Sequence, residues 1–523
     1  MATNRIIPTS GIASCANNVD ADVFVYGSTP GGIAAGLEAA RDGLRVVLAC
    51  PKMHPGGMTA SGLSTTDAVR RHLFGGIVIE FIERIREHYL ERLGEHHPEW
   101  SLCQDGWYYE PSVAEAVFRE MMEAEPNLRW FPGHWLTTVT VTAGTIQSVT
   151  LEPMTGGGSG NTEVAASIFI DATYEGDLAA AAGVPYRVGR EGREEYGESL
   201  AGIHYMNWKT RREIETPMSG EPSNAIQAYC ARCIVTDDPA HRLPIDKPDS
   251  YDQHLPDYLP LIEDFKSGRI TTIYPIFWGT RLPRGKIQVN GNIESMTSIN
   301  CPGVSWPYPE AGRRMREALD RFHVEHAWGL LWFLQNDPHV PPAIATQART
   351  LGLHDQEFMD SGHWPWQIYI RQARRIEGRA TVTQHNFVPD PETGTTPQIE
   401  GAVALAEHSF DVHPCHDRRW AIGPFMEGVL WYRDKARGPA QPGQIPYGAM
   451  LPRNVDNLLV PVAMSSTHVA MSVLRMEPVW MTTGQIAGKA AACAIAQKTN
   501  PANVDPSSLS VHGLTGSLAI NRR

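Results

Sequence analysis

Two histidines, a run of arginines and a glycine-rich turn are the residues whose types and spacing suit chemistry in this chain. Gly27-Ser28-Thr29-Pro30-Gly31-Gly32 closes an apolar strand and opens a helix. Backbone N–H groups at such a corner, with the positive end of the helix dipole, make an anion site. His468 follows Ser465-Ser466-Thr467 in a polar loop, and a neutral imidazole suits the task of taking a proton near neutral pH. His413, in Asp411-Val412-His413, is the second candidate for that base. The alternative for His468 is a packing or ligand-contacting imidazole. Tyr369-Ile370-Arg371-Gln372-Ala373-Arg374-Arg375 is a dense cationic run. On a strand, Tyr369 and Arg371 share one face, where Arg371 can bind a carboxylate or phosphate or serve structural ion pairs. Lys286, Asn290 and Asn292 alternate onto one face of a predicted strand and offer hydrogen bonds to a polyhydroxylated ligand.

The elements that must position these groups begin with Ala21–Pro51. Asp22–Tyr26 is a predicted strand, Ile33–Arg41 a small-residue helix and Arg45–Ala49 a second strand, a βαβ unit. Its turn reads G-x-T-x-x-G, with Thr29 where a dinucleotide fingerprint has its middle glycine, and Cys50 stands where an acidic ribose ligand is expected. The chain continues His54-Pro55-Gly56-Gly57-Met58. A second glycine pair just past strand two is what FAD enzymes use to run the backbone along the diphosphate and flavin. His54 is in place for a covalent flavin bond.

With 523 residues the chain has room for two or three domains. The net charge of −13 argues against a nucleic-acid surface. No apolar run approaches a membrane span. Residues 1–20 lack the apolar core of a secretory signal, so a cytoplasmic protein is expected, although a trimmed export signal would leave the same sequence. Of the eight cysteines only Cys230 and Cys233 are closely spaced, and no second pair completes a zinc site.

Along the chain, helices are predicted at Ile77–Leu93 and Ser112–Ala124, and a hairpin at 135–151 turning at Ala143-Gly144. A strand, Val164–Ile170, ends in Asp171-Ala172-Thr173-Tyr174-Glu175-Gly176-Asp177. From about Tyr196 to Ala404 aromatic residues, arginine and proline become frequent and the βα alternation is lost. Tryptophans such as Trp278, Trp306, Trp328, Trp332, Trp364 and Trp366 there read as packing or as a stacking surface. Helices are expected near Glu310–Leu334 and at Gly401–His408. Asn457–Val462 reads as a strand, and Thr482–Ala496 as a small-residue helix whose N-terminus would face a flavin pyrimidine edge.

The motifs VYGSTPGGIAAGLEAARDG, HPGGMTASGL, YEPSVAEAVF, FIDATYEGDLAAAAGVPYRVGREG, GKIQVNGN, IYIRQARRIEG, DVH, IPYGAMLP and NLLVPVAMSSTHVAMSVLRMEPVWMTTGQIAGKAA cover most of the chain. Together they resemble the FAD-dependent oxidoreductase family of the glutathione-reductase-like flavoprotein superfamily. The closer likeness is to a branch encoded near genes for sugar and polysaccharide breakdown. The resemblance implies an α/β fold with a Rossmann-like FAD domain built from separated segments, at 20–200 and 405–500. An inserted α+β substrate or cap domain is expected at 201–404. It implies FAD contacts from Gly27, Thr29, Pro30, Gly31, Gly32 and Cys50, then from Gly56, Gly57 and Met58. Further contacts are implied for Asp171, Ala172, Thr173, Gly176 and Asp177, and for Ser466, Gly484 and Gln485 near the C-terminus.

The expected function is oxidation of an alcohol on a polar or sugar-like small molecule, with His468, His413 and Arg371 as catalytic candidates. Lys286, Asn290, Asn292, Tyr369 and Arg371 are the substrate-binding candidates. One alternative is C=C reduction in the manner of fumarate reductases, with Arg371 or Arg475 as acid. Another is a flavin-binding protein without redox turnover, which Thr29 and Cys50 would suit. No iron–sulfur or haem-attachment motif is present, so the electron acceptor is oxygen, a quinone, a mediator or a separate partner.

Overall fold

The computed structural model describes residues 15–154, 160–207, 212–291, 295, 297–417, 426–428, 430, 431 and 441–509. Its organising layer is a five-stranded, all-parallel sheet. The strands are β1 (Val23–Tyr26), β2 (Val46–Ala49), β3 (Leu128–Phe131), β4 (Ile168–Asp171) and β5 (Leu458–Leu459), in the spatial order β5-β4-β1-β2-β3. All eight residues of β1 and β2 are buried, and the continuous apolar runs V-F-V-Y and V-V-L-A suit strands covered on both faces. Strand β5 joins this sheet from the far end of the chain.

One face of the sheet carries α1 (Pro30–Arg41), which starts earlier than its sequence pattern suggests. Thr29 is its N-cap, accepting the Gly32 amide on Oγ1, and Pro30 occupies the first turn, where its missing N–H costs nothing. A four-stranded sheet (15–20, 161–165, 145–153 and 134–142) flanks this domain and includes the hairpin turned at Ala143-Gly144. The middle region builds a five-stranded antiparallel sheet and the long helix α2 (Arg313–Asn336).

Near the C-terminus come α3 (His468–Leu474) and α4 (Glu477–Gln497). Helix α4 packs along α1 at very close range. A Cβ on Gly484 would stand 2.0 Å from the Gly31 carbonyl oxygen, and one on Gly488 would stand 2.3 Å from that of Ala35. Small residues on both helices are what this approach requires. Among the described residues no helix is long and apolar enough to cross a membrane.

Three local expectations are corrected. Residues 401–408 form no helix; Ala402–Ala406 is a strand paired antiparallel with Gly443–Pro446, and V-A-L-A is buried on both faces. His468 is not in a loop but opens α3, which Thr467 caps. Helix α4 begins at Glu477, five positions before the small-residue pattern, because Met476 and Pro478 supply its entry.

Gly484→Val should force α1 and α4 apart and cost about 1–3 kcal/mol or more, the usual penalty of overpacking. The measurement is the denaturant midpoint of the variant against the wild type, and an unchanged midpoint would contradict the packing described.

Candidate active site

The turn between β1 and α1 leaves no room for side chains. Gly27 sits at φ +106°, and a Cβ there would lie 2.7 Å from the Ala172 carbonyl; a Cβ on Gly32 would lie 1.8 Å from the Gly27 oxygen. Thr29, the departure from the glycine fingerprint, ties two strand ends together. Its Oγ1 donates to the Ala172 carbonyl at 2.7 Å and accepts from Gly32 at 3.1 Å. This corner opens onto a cleft lined in part by Gly27, Ser28, Thr29, Cys50, Lys52, His54, Gly57, Trp135, Thr173, Tyr174, Trp366 and Gln367.

Helix α2 lies along the cavity through Arg313, Arg316, Glu317 and Asp320. Arg316 grips both oxygens of Asp177 at 2.6 and 2.7 Å, and Asp320 accepts from Lys52 and from Tyr308. Cys50 is a buried thiol that burial keeps protonated, and Ser28 donates to its sulfur at 2.8 Å. Asp320 also lines the cavity, paired with Lys52 two residues beyond Cys50.

Gly57, at φ +49°, makes room for Tyr174, whose hydroxyl accepts the Met58 amide and donates to Glu477. Glu477 is the first residue of α4, and burial pushes its carboxyl up to about 8, so it is neutral at pH 7. Its Oε2 has no partner.

A second group of residues gathers at α3. His468 and Ser472 on the helix and Arg475, its C-cap, are spaced i, i+4, i+7 and turn toward the segments 369–375 and 411–413 or toward Glu191. The Ser472 hydroxyl accepts the Asp411 amide, and Arg475 donates to Asp411 and to the Tyr369 hydroxyl. His468 is 1% exposed, and its Nδ1 stands 3.2 Å from Glu191. Burial favours the neutral acid at Glu191, but Arg375 and His468 outweigh it and hold the carboxyl well below its usual range. The carboxylate accepts only, so Nδ1 carries the hydrogen and Nε2 keeps a lone pair, which has no partner. His413 is built likewise: Nε2 lies 3.3 Å from Asp411 and Nδ1 is unpartnered. Burial pulls both histidines down to about 4. The near-neutral titration expected for His468 is therefore corrected; it stays neutral well into acid.

The structure sorts the remaining candidates. Gly27, Thr29, Cys50, Gly57, Thr173 and Asp177 line the cavity; Pro30, Gly31, Gly32 and Ala172 stand directly behind it. Gly56 packs on Phe118 and Ala60, and Gly176 caps the short helix Asp177–Ala181. Four assignments are corrected because the protein itself consumes the group. Asp171 is buried and accepts from Thr173 and from the Ala179 amide. Gly484 serves the α1–α4 contact, and Gln485 bridges the Ile77 amide and Glu38. Ser466 turns its hydroxyl to the Met464 carbonyl, and its own carbonyl takes Arg375.

Lys286 is also corrected as a substrate ligand. It is buried between Glu110 and Glu357, 2.5 Å from each. Asn290 is half-buried beside it on the strand with Oδ1 unpartnered, and Asn292 lies outside the described residues. Arg371 and Tyr369 are buried, with the guanidinium 4.9 Å from the ring centre. His54 is ion-paired to Glu115 and Asp360 and stacked on Trp366. Sequence reasoning missed Tyr174, Glu191, Arg232, Arg316 and Asp320. Only Arg316 and Asp320 left a signal, as an i, i+4 pair on the one long helix of the middle region.

The family model for FAD dependent oxidoreductases matches residues 22–512. No curated protein matches this chain. Among solved structures, the L-proline dehydrogenase from P. horikoshii is 15% identical over 34% of this chain and 24% of its own, with a TM-score of 0.19. The anhydrotetracycline hydroxylase OxyS from Streptomyces rimosus is 11% identical over 52% and 44%, with a TM-score of 0.27. The E. coli quinol fumarate reductase chain FrdA, as a point variant, is 11% identical over 96% and 74%, with a TM-score of 0.34. The chain thus spans less than half the length of the first two, and all three scores are too low for the likeness to bear on activity.

Replacing Gly32 by Val should yield colourless protein, since its Cβ alone would collide with the Gly27 carbonyl; full flavin absorbance in the purified variant would show the corner to be misplaced. Glu477 gives a pH dependence of stability. Its carboxyl is raised from an ordinary 4.5 to about 8 on folding, so the folded protein binds more protons between those values and loses stability as pH rises through that window. Glu477→Gln should remove a slope of at most about 1.4 kcal/mol per pH unit, measured by denaturant unfolding between pH 5 and 8.

Proposed function

Because this chain belongs to the FAD dependent oxidoreductase family and is an enzyme with FAD as its cofactor, we propose that it oxidises an alcohol on a polar, sugar-like small molecule, with His468 as the proton acceptor. The bound flavin supplies the acceptor for the hydride that leaves carbon. The backbone corner at Gly27–Gly32 and the cavity behind Lys52, Tyr174 and Trp366 would hold the cofactor. That the chain is an enzyme sets aside the reading as a flavin carrier without turnover.

The observation that carries this reading is the lone pair of His468. A buried imidazole whose Nδ1–H is fixed on a carboxylate presents Nε2 as a base in one orientation. Burial is the larger influence and opposes the imidazolium, and Glu191 offsets part of that cost when a proton arrives. At His413 burial and Arg371 oppose the charged form and Asp411 supports it, so the electrostatics are alike. His468 is preferred on geometry, because Glu191 accepts from its backbone amide as well as facing its ring nitrogen. The enclosed position excludes water, which strengthens the Glu191 interaction.

Arg371 favours a second reading, C=C reduction. Burial holds its guanidinium below the usual arginine range, making it the readiest acid of its type in the site. Reoxidation of the reduced protein by an enoate, with no bleaching by alcohols, would support that reading instead.

His468→Ala should leave the flavin spectrum intact and slow anaerobic flavin reduction by about 10²–10⁴-fold, the usual contribution of a positioned base. His468→Gln should be nearly as slow. The base is active when neutral, so the wild-type reduction rate should hold down to about pH 4 and fall below it. A wild-type rate in either variant would move the role to His413.

A further inference from the structure

Seven arginines are buried among the described residues: Arg190, Arg232, Arg316, Arg371, Arg374, Arg375 and Arg475. Five of them are paired with a carboxylate, on Glu427, Asp177, Glu191 or Asp411. Arg232 and Arg371 are not. They are 4% and 1% exposed, neither forms an ion pair among the described residues, and the Nε of each has no acceptor. Arg371 spends its other nitrogens on the Ala228 carbonyl and, at 3.7 Å, the Cys230 sulfur. Both guanidinium groups stack on Tyr369, at 3.9 and 4.9 Å from the ring centre, and Arg475 approaches the same ring at 6.0 Å. Three cations thus crowd one phenol, and of the three only Arg475 is ion-paired among the described residues, with Asp411.

Taking a charge out of water without a counter-charge is costly, and a buried unpaired cation is retained where a ligand supplies the missing anion. The location says which ligand. Strand-like residues 367–371 lie on the chain that continues from Gly56-Gly57: the Gln367 amide bonds Ser61, the Ile370 amide lies 3.1 Å from the Met58 sulfur, and a Cβ on Gly62 would touch the Arg232 carbonyl. Trp366 and Gln367 line the cavity itself. The cation pair therefore sits just beyond the cavity wall, away from the Gly27 corner that takes a diphosphate.

We propose that the substrate is an acidic sugar whose carboxylate is held by Arg232 and Arg371 while the hydroxyl to be oxidised lies toward His468. This rests on the alcohol-oxidation reading above and narrows it to sugar-like alcohols that carry a carboxylate. The chemistry balances as alcohol to carbonyl, with two electrons and one proton leaving carbon to the flavin and the hydroxyl proton going to His468. The carboxylate is unchanged.

The test titrates the purified holoprotein without oxygen, following flavin absorbance, with glucuronate and glucose. Glucuronate should reduce the flavin, while glucose should need at least 30-fold higher concentrations. Arg371→Met and Arg232→Met should each raise the half-saturating glucuronate concentration by roughly 30-fold to several thousand-fold, the range for losing one partner of a buried charge pair, and change the limiting rate far less. Removing an uncompensated charge should also leave the substrate-free variants as heat-stable as the wild type or more so, whereas a structural role predicts a loss. Equal response to glucuronate and glucose would overturn the proposal. So would variants that melt early but bind glucuronate as the wild type does. A changed flavin spectrum in Arg371→Met with unchanged glucuronate affinity would place the cations against the cofactor and also overturn it. If no alcohol reduces the flavin, yet glucuronate protects the wild type but not Arg371→Met from heat, alcohol oxidation fails and the anion site stands.

Discussion

The contact between α1 and α4 is the constraint on which the rest of the site depends. Gly31 and Ala35 on one helix and Gly484 and Gly488 on the other let two backbones meet at distances that any larger side chain would forbid. That meeting places the start of α4 beside the β1–α1 turn, with Glu477 bonded to Tyr174 and Tyr174 to Met58. Helix α3, which immediately precedes α4, is thereby held against the segments 369–375 and 411–413. His468, the arginines and the cavity are joined through one helix pair.

Burial shapes the electrostatics of that arrangement in two opposite ways. Where an arginine meets a carboxylate, as Arg375 meets Glu191 and Arg316 meets Asp177, the pair is rigid and its carboxylate stays ionised. Glu191 can then fix the tautomer of His468. Where no counter-charge exists, at Glu477, Arg232 and Arg371, the protein bears the cost in its free state. Glu477 meets it by staying protonated. The two arginines meet it in part by stacking on Tyr369. Such costs are usual at functional sites, where stability is given up for recognition.

The middle region does more than cover the site. Helix α2 brings Arg316 and Asp320 down onto Asp177 and Lys52, so its first three turns close the side of the cavity that the β2 end would otherwise leave to solvent. At the strand end the thiol of Cys50 is buried under Ser28.

By itself the sequence determined the βαβ unit, the two glycine turns, the helices at 77–92 and 111–123, the hairpin and the cofactor family. Each of these rests on local rules: a 2.0 or 3.6 residue period, or a glycine where a backbone must turn or come close. It also named His468, His413 and Arg371, since few residue types can move a proton or bind an anion. Only the tertiary structure decided what surrounds them. Burial and Glu191 set the charge state of His468, two glutamates remove Lys286 from the ligand site, and Arg232 joins Arg371 on Tyr369 although 139 positions separate them (371 − 232 = 139). The residues 401–408 misled because A-V-A-L-A suits a buried strand as well as a helix, and only its partner, Gly443–Pro446, chooses between them. Pairing and desolvation are properties of neighbours, and neighbours are assigned by the fold.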